Sequence, residues 1–442
     1  MPTIKDEVAR IAKAGYSIGS PIALDAWLNI NGSSSKIILI VSVVFHKDYA
    51  NNLYDFVTLM FRMQLGDAVH VLGPNKDNLE VTLNIRTIGE SLTVKYKAVI
   101  GKVDPSVTSG KFAQTDQKEL NKNMTDVSLQ LIPKVPLAIK NMSCGGVYTK
   151  STLAGVLSDA INTYANNTEG IDIGSVVKSY IVSVNNNRVY DHIVIPDDTL
   201  LVKLPTLLQE KMGGLYNGGI GTYIVSGKGA STFNVYPLYR PNGSFFIKNK
   251  LEILALSVFE LVALNTTYAM SSSTTLKIIV PAITLEPHDG ETNLINTSVG
   301  FNATENSAIR ARSTYKVGNV VVNNSKNTKR KMAHKRLADG SVPMAPMENT
   351  SNFYEMRTKA LKSDGRFVEV EWNNSNARLL TPAMPVTYVT EERGKKIKYE
   401  GVLHGVIQTL DNTTKTERSK LRIFLRLDQG IAGPINKLGE LL

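Results

Sequence analysis

Between Glu210 and Ser231 the chain reads EKMGGLYNGGIGTYIVSGKGAS, seven glycines in twenty-two positions, with Lys228 flanked by two of them. Glycine beside lysine is the chemistry of a phosphate cradle, where backbone N–H groups, a lysine and a Ser or Thr hydroxyl converge at a helix start. Here Thr222 stands where the loop's first glycine is needed, Gly229 where the hydroxyl is needed, and β-type residues lie on both sides. The spacing argues against a Walker loop. GGIGTY also fails as a dinucleotide fingerprint, because it follows a helical pattern and not a strand. A sharply turned hairpin is the reading that remains.

The other candidate groups are acidic, imidazole, thiol and basic. Asp197 and Asp198 in IPDDT and the run EPHDGE from Glu286 to Glu291 offer paired acids that could bind a cation or do acid–base work. For Asp197 and Asp198 the pattern predicts helix capping, since a helical run follows directly. The EPHDGE run lacks EF-hand spacing and reads as a solvated loop. His46, His70, His192, His288, His334 and His404 are scattered, with no zinc-type spacing among them or with Cys144. Cys144 is the single cysteine, so no intrachain disulfide can form, and it has no local base partner. No Gly-x-Ser-x-Gly elbow occurs, so nucleophilic hydrolysis finds no support. KNTKRKMAHKR, with Lys329, Arg330, Lys331, Lys335 and Arg336, could touch phosphates, yet it lacks the aromatics that base stacking needs. It reads as a solvated or protein-facing loop. The sequence assigns no catalytic, cofactor or metal residue.

The elements that would position these groups are mostly strands. A helix is expected at 2–14, then strands in IALDAWLNI, KIILIVSVVF, DAVHVLG, NLEVTLNIRTI and SLTVKYKAVI. NNLYDFVTLMFRMQLGD puts Leu53, Phe56, Val57, Met60 and Phe61 on one helical face, so a helix is predicted there. The polar segment 104–126 reads as a linker. A helix follows in TKSTLAGVLSDAINTYANN, capped by Thr149 or Ser151. VKSYIVSVNNNRVYDHIVI predicts strand, Asn-rich turn and strand, and DDTLLVKLPTLLQEKMGG a capped helix containing Pro205. Residues 246–285 read as β, 286–306 as a polar loop, 322–351 as a basic loop that is mobile or ordered by a partner, and the last ninety as β.

With 442 residues, two to four domains are expected. Hydrophobic residues at 43% and charged residues at 20% exclude wholesale disorder. The net charge of +11 favours an anionic surface as a partner. The N-terminus lacks the apolar core of a signal peptide, so the Asn-x-Ser/Thr sequons at Asn31, Asn141, Asn242, Asn265 and Asn412 read as loop chemistry. Ile37 to Phe45 is too short to span a bilayer, and Leu251 to Met270 carries Glu252 and Glu260, so no membrane span is expected.

One resemblance emerges from the order PLAIKNMSCGGVYTKSTLAGVLSDAI, IPDDTLLVKLPTLLQEKMGGLYNGGIGTYIV and FNVYPLYR. A helix from Leu204 or Leu207 to Tyr216 runs into a glycine-rich turn and strands, and Tyr236, Pro237 and Tyr239 follow. This resembles the baseplate hub proteins of contractile-tailed bacteriophages and the related base of type VI secretion spikes. GDAVHVLGPNKDNLEVTLNIR and LLTPAMPVTYVTEERGKKIKYEGVLHGVIQTL fit the family's two tube-type barrels. The resemblance implies a mainly β fold with some α (α+β), two tube-type β-barrel domains at 1–110 and 361–442, a mixed α/β middle at 111–245, and a β-rich segment with long loops at 246–360. It implies a homotrimer in a virion, made in the host cytoplasm, that adapts a threefold central spike to a sixfold tail tube. Tube, tube-initiator and other baseplate proteins would be partners, with DNA only passing through the lumen. Tyr216, Tyr223, Tyr236 and Tyr239 would be packing aromatics. The rivals are another tube or connector component, a tail-associated glycan hydrolase using Asp197, Asp198 or Glu210, and a basic nucleic-acid binder.

Overall fold

The computed structural model describes residues 22–50, 54–87, 90–102, 124–166, 176–226, 230–239, 250–256, 268–272, 275–282, 300–303, 309–312, 365–392 and 395–426, with Tyr354 and Thr358. The helix expected at 2–14, most of the linker, Lys228, the EPHDGE run and the basic loop lie outside the described residues.

Among the described residues seven strands come first: β1 (Ala23–Ile30), β2 (Ser33–Ile37), β3 (Leu39–Asp48), β4 (Phe56–Gln64), β5 (Leu79–Thr87), β6 (Glu90–Lys102) and β7 (Met124–Pro133). Asn31 and Gly32, with φ of 48° and 85°, make a two-residue turn whose twist suits the β1–β2 hairpin. β4 corrects the predicted helix. Its apolar residues fit both periods, but Val57, Leu59 and Phe61 alternate into the core, and β3 and β7 satisfy both of its edges. DAVHVLG is corrected the other way, into a helical turn in which Ala68, Val69 and Leu72 face inward.

The middle of the chain holds β8 (Ser143–Thr152), β9 (Val176–Ile181), β10 (Val189–Leu200), β11 (Ile220–Ser226) and β12 (Ala230–Pro237). The helix Leu153–Tyr164 is capped by Thr152, whose hydroxyl accepts from Gly155 N–H at 3.1 Å, one residue beyond the expected Ser151. β9 and β10 are strands as expected but not partners: β10 pairs with β8, and β9 runs parallel to β12. Asp197 and Asp198 do not cap a helix. They sit in a β10 bulge opposite Gly145, where an added Cβ would lie 2.3 Å from Asp197 Oδ1. The helix Leu204–Glu210 starts instead from the 3-10 turn Leu201–Lys203, with Pro205 in its first turn.

The open edge of β9 is covered by side chains. Asn166 donates to the Val177 carbonyl and accepts from its N–H, both at 2.8 Å, Asn162 accepts from Ser179 N–H at 3.3 Å, and the Ser158 and Ser179 hydroxyls meet at 3.0 Å. Four helical residues rise about 6 Å and two strand residues about 6.6 Å, so positions 162 and 166 match the alternate strand positions 179 and 177. The helix thus stands in for a missing strand and blocks edge pairing.

The last strands are β13 (Lys250–Leu256), β14 (Tyr268–Ser272), β15 (Thr275–Pro281), the small hairpin β16 (Gly300–Ala303) and β17 (Ile309–Arg312), then β18 (Gly365–Asn373), β19 (Pro385–Glu392), β20 (Lys395–Asp411) and β21 (Thr416–Arg426). Here two separated barrels give way to one sheet, ordered β14-β15-β13-β19-β20-β3-β4-β7-β6-β5-β1-β2, with β21 and β18 branching from β20. One edge of β20 carries β21; the other carries β19 and then β3. Among the described strands neither half closes into a barrel. The cores remain two, one inside β1–β7 and one shared by the middle and C-terminal strands, with Leu410 and Tyr49 each reaching into the other half's core. Among the described residues no helix is long and apolar enough to cross a membrane.

Candidate functional site

The glycine-rich stretch folds into the place where the three parts of the chain meet. Gln209, on the helix Leu204–Glu210, is buried, and its amide accepts from Leu215 N–H at 2.9 Å and Tyr216 N–H at 3.0 Å while donating to the Tyr216 carbonyl at 2.8 Å. One side chain therefore satisfies three backbone groups of a buried turn. Gly213, Gly214 and Gly219 have φ of 100°, 83° and 74°, which glycine adopts without strain. Gly221 is needed for space: a Cβ there would lie 2.3 Å from Tyr236 Cε2.

Tyrosines then tie the parts together. Tyr216 donates to the Val182 carbonyl at 2.6 Å. Tyr236 donates to the Tyr49 carbonyl at 2.7 Å, Tyr49 N–H donates to the His404 carbonyl at 2.8 Å, and His404 Nε2 lies 3.0 Å from the Leu238 carbonyl. This circuit joins the end of β3, the β11–β12 hairpin and β20. Tyr49 packs edge-on against Tyr223 at 4.9 Å, and Tyr239 against Phe424 at 5.0 Å.

Beside the circuit lies a cavity of about 570 Å³. It forms where inward strand positions turn polar. Val43 and Phe45 fill the core side of β3, and Lys47 continues that row; on β20, Gln408 stands between the buried Val406 and Leu410. Asp55 and Arg378 also line it. Glu417 holds the turn that carries Arg378, accepting from Ala377 N–H at 2.6 Å and from the Ser375 hydroxyl at 3.2 Å. Burial raises the carboxyls of both Asp55 and Glu417 above the ordinary range; Lys47 opposes this at Asp55, and the Ala377, Gln408 and Ser375 hydrogen bonds oppose it at Glu417.

The sign of the Asp55 shift gives a test. Between the unfolded value of about 3.9 and the higher folded one, the native state binds more protons, so stability falls as pH rises through that window. Asp55→Asn removes this contribution. Its melting temperature is expected to exceed the parent's at pH 7, with the gap narrowing on acidification; a gap independent of pH would refute the assignment.

The following solved structures are similar to this chain. A tail protein from Neisseria meningitidis MC58 has a TM-score of 0.43 and 10% identity, covering 91% of this chain and 96% of that one. The 43 kDa tail protein of prophage MuSo2 from Shewanella oneidensis has a TM-score of 0.40 and 10% identity, with the same coverages of 91% and 96%. An E. coli component of the type VI secretion system, described as structurally similar to the T4 bacteriophage tail proteins gp27 and gp5, has a TM-score of 0.42 and 8% identity, covering 90% of this chain and 76% of that one. No protein-family profile and no curated protein matches the chain.

The residues singled out in the sequence divide sharply. Tyr216, Tyr223, Tyr236 and Tyr239 are all buried and meet around the junction. Gly227–Gly229 connects two antiparallel strands, so no helix start follows it. Asp197, Asp198 and Glu210 are exposed, and none lines the cavity. Cys144 is buried, which pushes its thiol up to about 11 and keeps it protonated at neutral pH. His46 and His192 are exposed, whereas His404 is buried in the circuit. Among the described residues no His, Cys, Asp and Glu group could hold a metal ion. Lys47, Asp55, Gln408 and Glu417 were missed. A polar residue at an inward strand position was the available signal for Lys47 and Gln408.

Proposed function

We propose that this chain is a structural subunit of a phage tail or related injection apparatus, a baseplate hub that trimerises between a central spike and the tail tube. The observation that carries the reading is the pairing of β3 with β20, which sets two strand-rich regions remote in sequence edge to edge in one sheet. The tyrosine circuit then holds them at a defined offset. In this reading residues 1–110, completed by β7, and 361–442, extended by β13 and β15, are the tube-type units, while the rest of 111–245 forms the middle domain and the rest of 246–360 links it to the C-terminal unit. Three chains offer six units, which reconciles threefold and sixfold symmetry.

An outer face supports an assembly role. Leu39, Met60, Val99 and Met124 are exposed on β3, β4, β6 and β7 and share one side of the sheet. The partners in this reading are the spike, tube and tube-initiator proteins and other baseplate components, with DNA only in the lumen, and the function is positional, without catalysis. Negative-stain electron microscopy of the purified chain at high concentration is expected to give threefold rings with six lobes. Sixfold rings of whole chains would replace the hub with a tube or connector protein, and monomers that persist with a candidate spike present would overturn the assembly reading.

A further inference from the structure

The cavity beside the tyrosine circuit holds two polar atoms for which the described residues supply no hydrogen bond. Asp55 Oδ1 and the Tyr223 hydroxyl are both buried and, among the described residues, have no hydrogen-bond partner. Both residues line the cavity. A buried polar atom left unpaired costs about 1–3 kcal/mol, so a pair of them around one space is suited to a donor on a bound ligand. Opposite charge is present as well, because Lys47 and Arg378 line the same cavity. Lys47 lies on the inward row of β3, where the alternation calls for an apolar side chain, and Arg378 is set by the Glu417 network. Apart from Ser91 and Gln408 the remaining wall is aromatic and aliphatic, Phe45, Tyr96 and Ile224 among it. Concave, mostly apolar surface with a few convergent polar groups is the usual character of a small-molecule site.

We propose that this cavity binds a small zwitterion with an apolar body, of about dipeptide size. The ammonium donates to Asp55 Oδ1 and the Tyr223 hydroxyl, the carboxylate meets Lys47 and Arg378, and the hydrocarbon covers the aromatic wall. A simple cation would face two bases, and a simple anion would leave Asp55 unpaired, so each satisfies only part of the lining. The volume of about 570 Å³ is ample for two residues and their water. The inference does not depend on the assembly reading, since it concerns a pocket within one chain.

Calorimetric titration of the full chain tests it with three probes: leucyl-leucine, N-acetyl-leucyl-leucine without the ammonium, and leucyl-leucinamide without the carboxylate. The dipeptide is expected to bind, with each analogue at least about tenfold weaker. Asp55→Asn is expected to weaken the dipeptide about tenfold and leave the acetylated analogue unchanged. Lys47→Met should do the converse, weakening the dipeptide while sparing the leucinamide analogue, and it carries the test if the Asp55 variant does not fold. Absence of binding up to about 10 mM dipeptide, or equal affinity for all three probes, overturns the proposal.

Discussion

Replacing Gln209 by Leu is expected to destabilise the chain by about 3 kcal/mol or more, because each buried backbone group left unpaired costs about 1–3 kcal/mol. Leucine fills similar volume, so the loss isolates the hydrogen bonds. Three groups lose their partner at once: the N–H of Leu215, the N–H of Tyr216 and the carbonyl of Tyr216. Leu215 and Tyr216 are fully buried, so water cannot replace the amide without opening the turn. Gln209→Glu keeps an acceptor for both N–H groups and loses the donor to the Tyr216 carbonyl, which places it between the parent and Gln209→Leu. Urea denaturation of the three proteins checks the order. A loss below about 1 kcal/mol in Gln209→Leu would mean that the turn finds other partners.

The second large effect concerns the bond between the central hairpin and the N-terminal sheet. Tyr236→Ala is expected to cost about 3–5 kcal/mol, since it empties a fully buried aromatic site. Tyr236→Phe keeps the ring and loses only the bond to the Tyr49 carbonyl, a change of about 1–3 kcal/mol. The pair separates packing from tethering. Tethering has its own signature in amide exchange, because the Tyr49 N–H donates to His404 across the junction and its protection depends on that corner staying closed. Both variants are therefore expected to speed exchange at Tyr49, the alanine variant more. Equal stability of the two variants would remove the ring from the account, and unchanged exchange at Tyr49 in both would remove the tether.

Alternation in Leu79 to Ile85 and in Leu421 to Leu425, turn residues at Asn31-Gly32, and helical spacing in Leu153 to Tyr164 were enough to place most strands and the long helix, because those elements bury one face and their period is written in the residues. The glycine-rich hairpin was legible from its turn residues, whereas the packing role of Tyr216, Tyr223, Tyr236 and Tyr239 was expected only from the family resemblance. Phe56 to Gln64 was not, since its apolar positions satisfy a helix and a strand alike, and only the neighbours β3 and β7 decide between them. Asp197 and Asp198 stand before a helical run as caps would, yet the pairing of β10 with β8 carries them into a bulge.

The candidate cavity was the least legible part. Lys47 and Asp55 lie more than three hundred residues from Arg378 and Gln408, and no local pattern relates the two pairs. The β3–β20 pairing brings Lys47 and Gln408 together, and the Glu417 network sets Arg378 beside them. The sequence by itself determined which segments are strands or helices with one buried face, because period and composition act locally. Only the tertiary structure decided that strands from both parts of the chain share one sheet and line a cavity with a few convergent polar groups, because strand pairing between residues more than three hundred and fifty apart depends on which edges are left free.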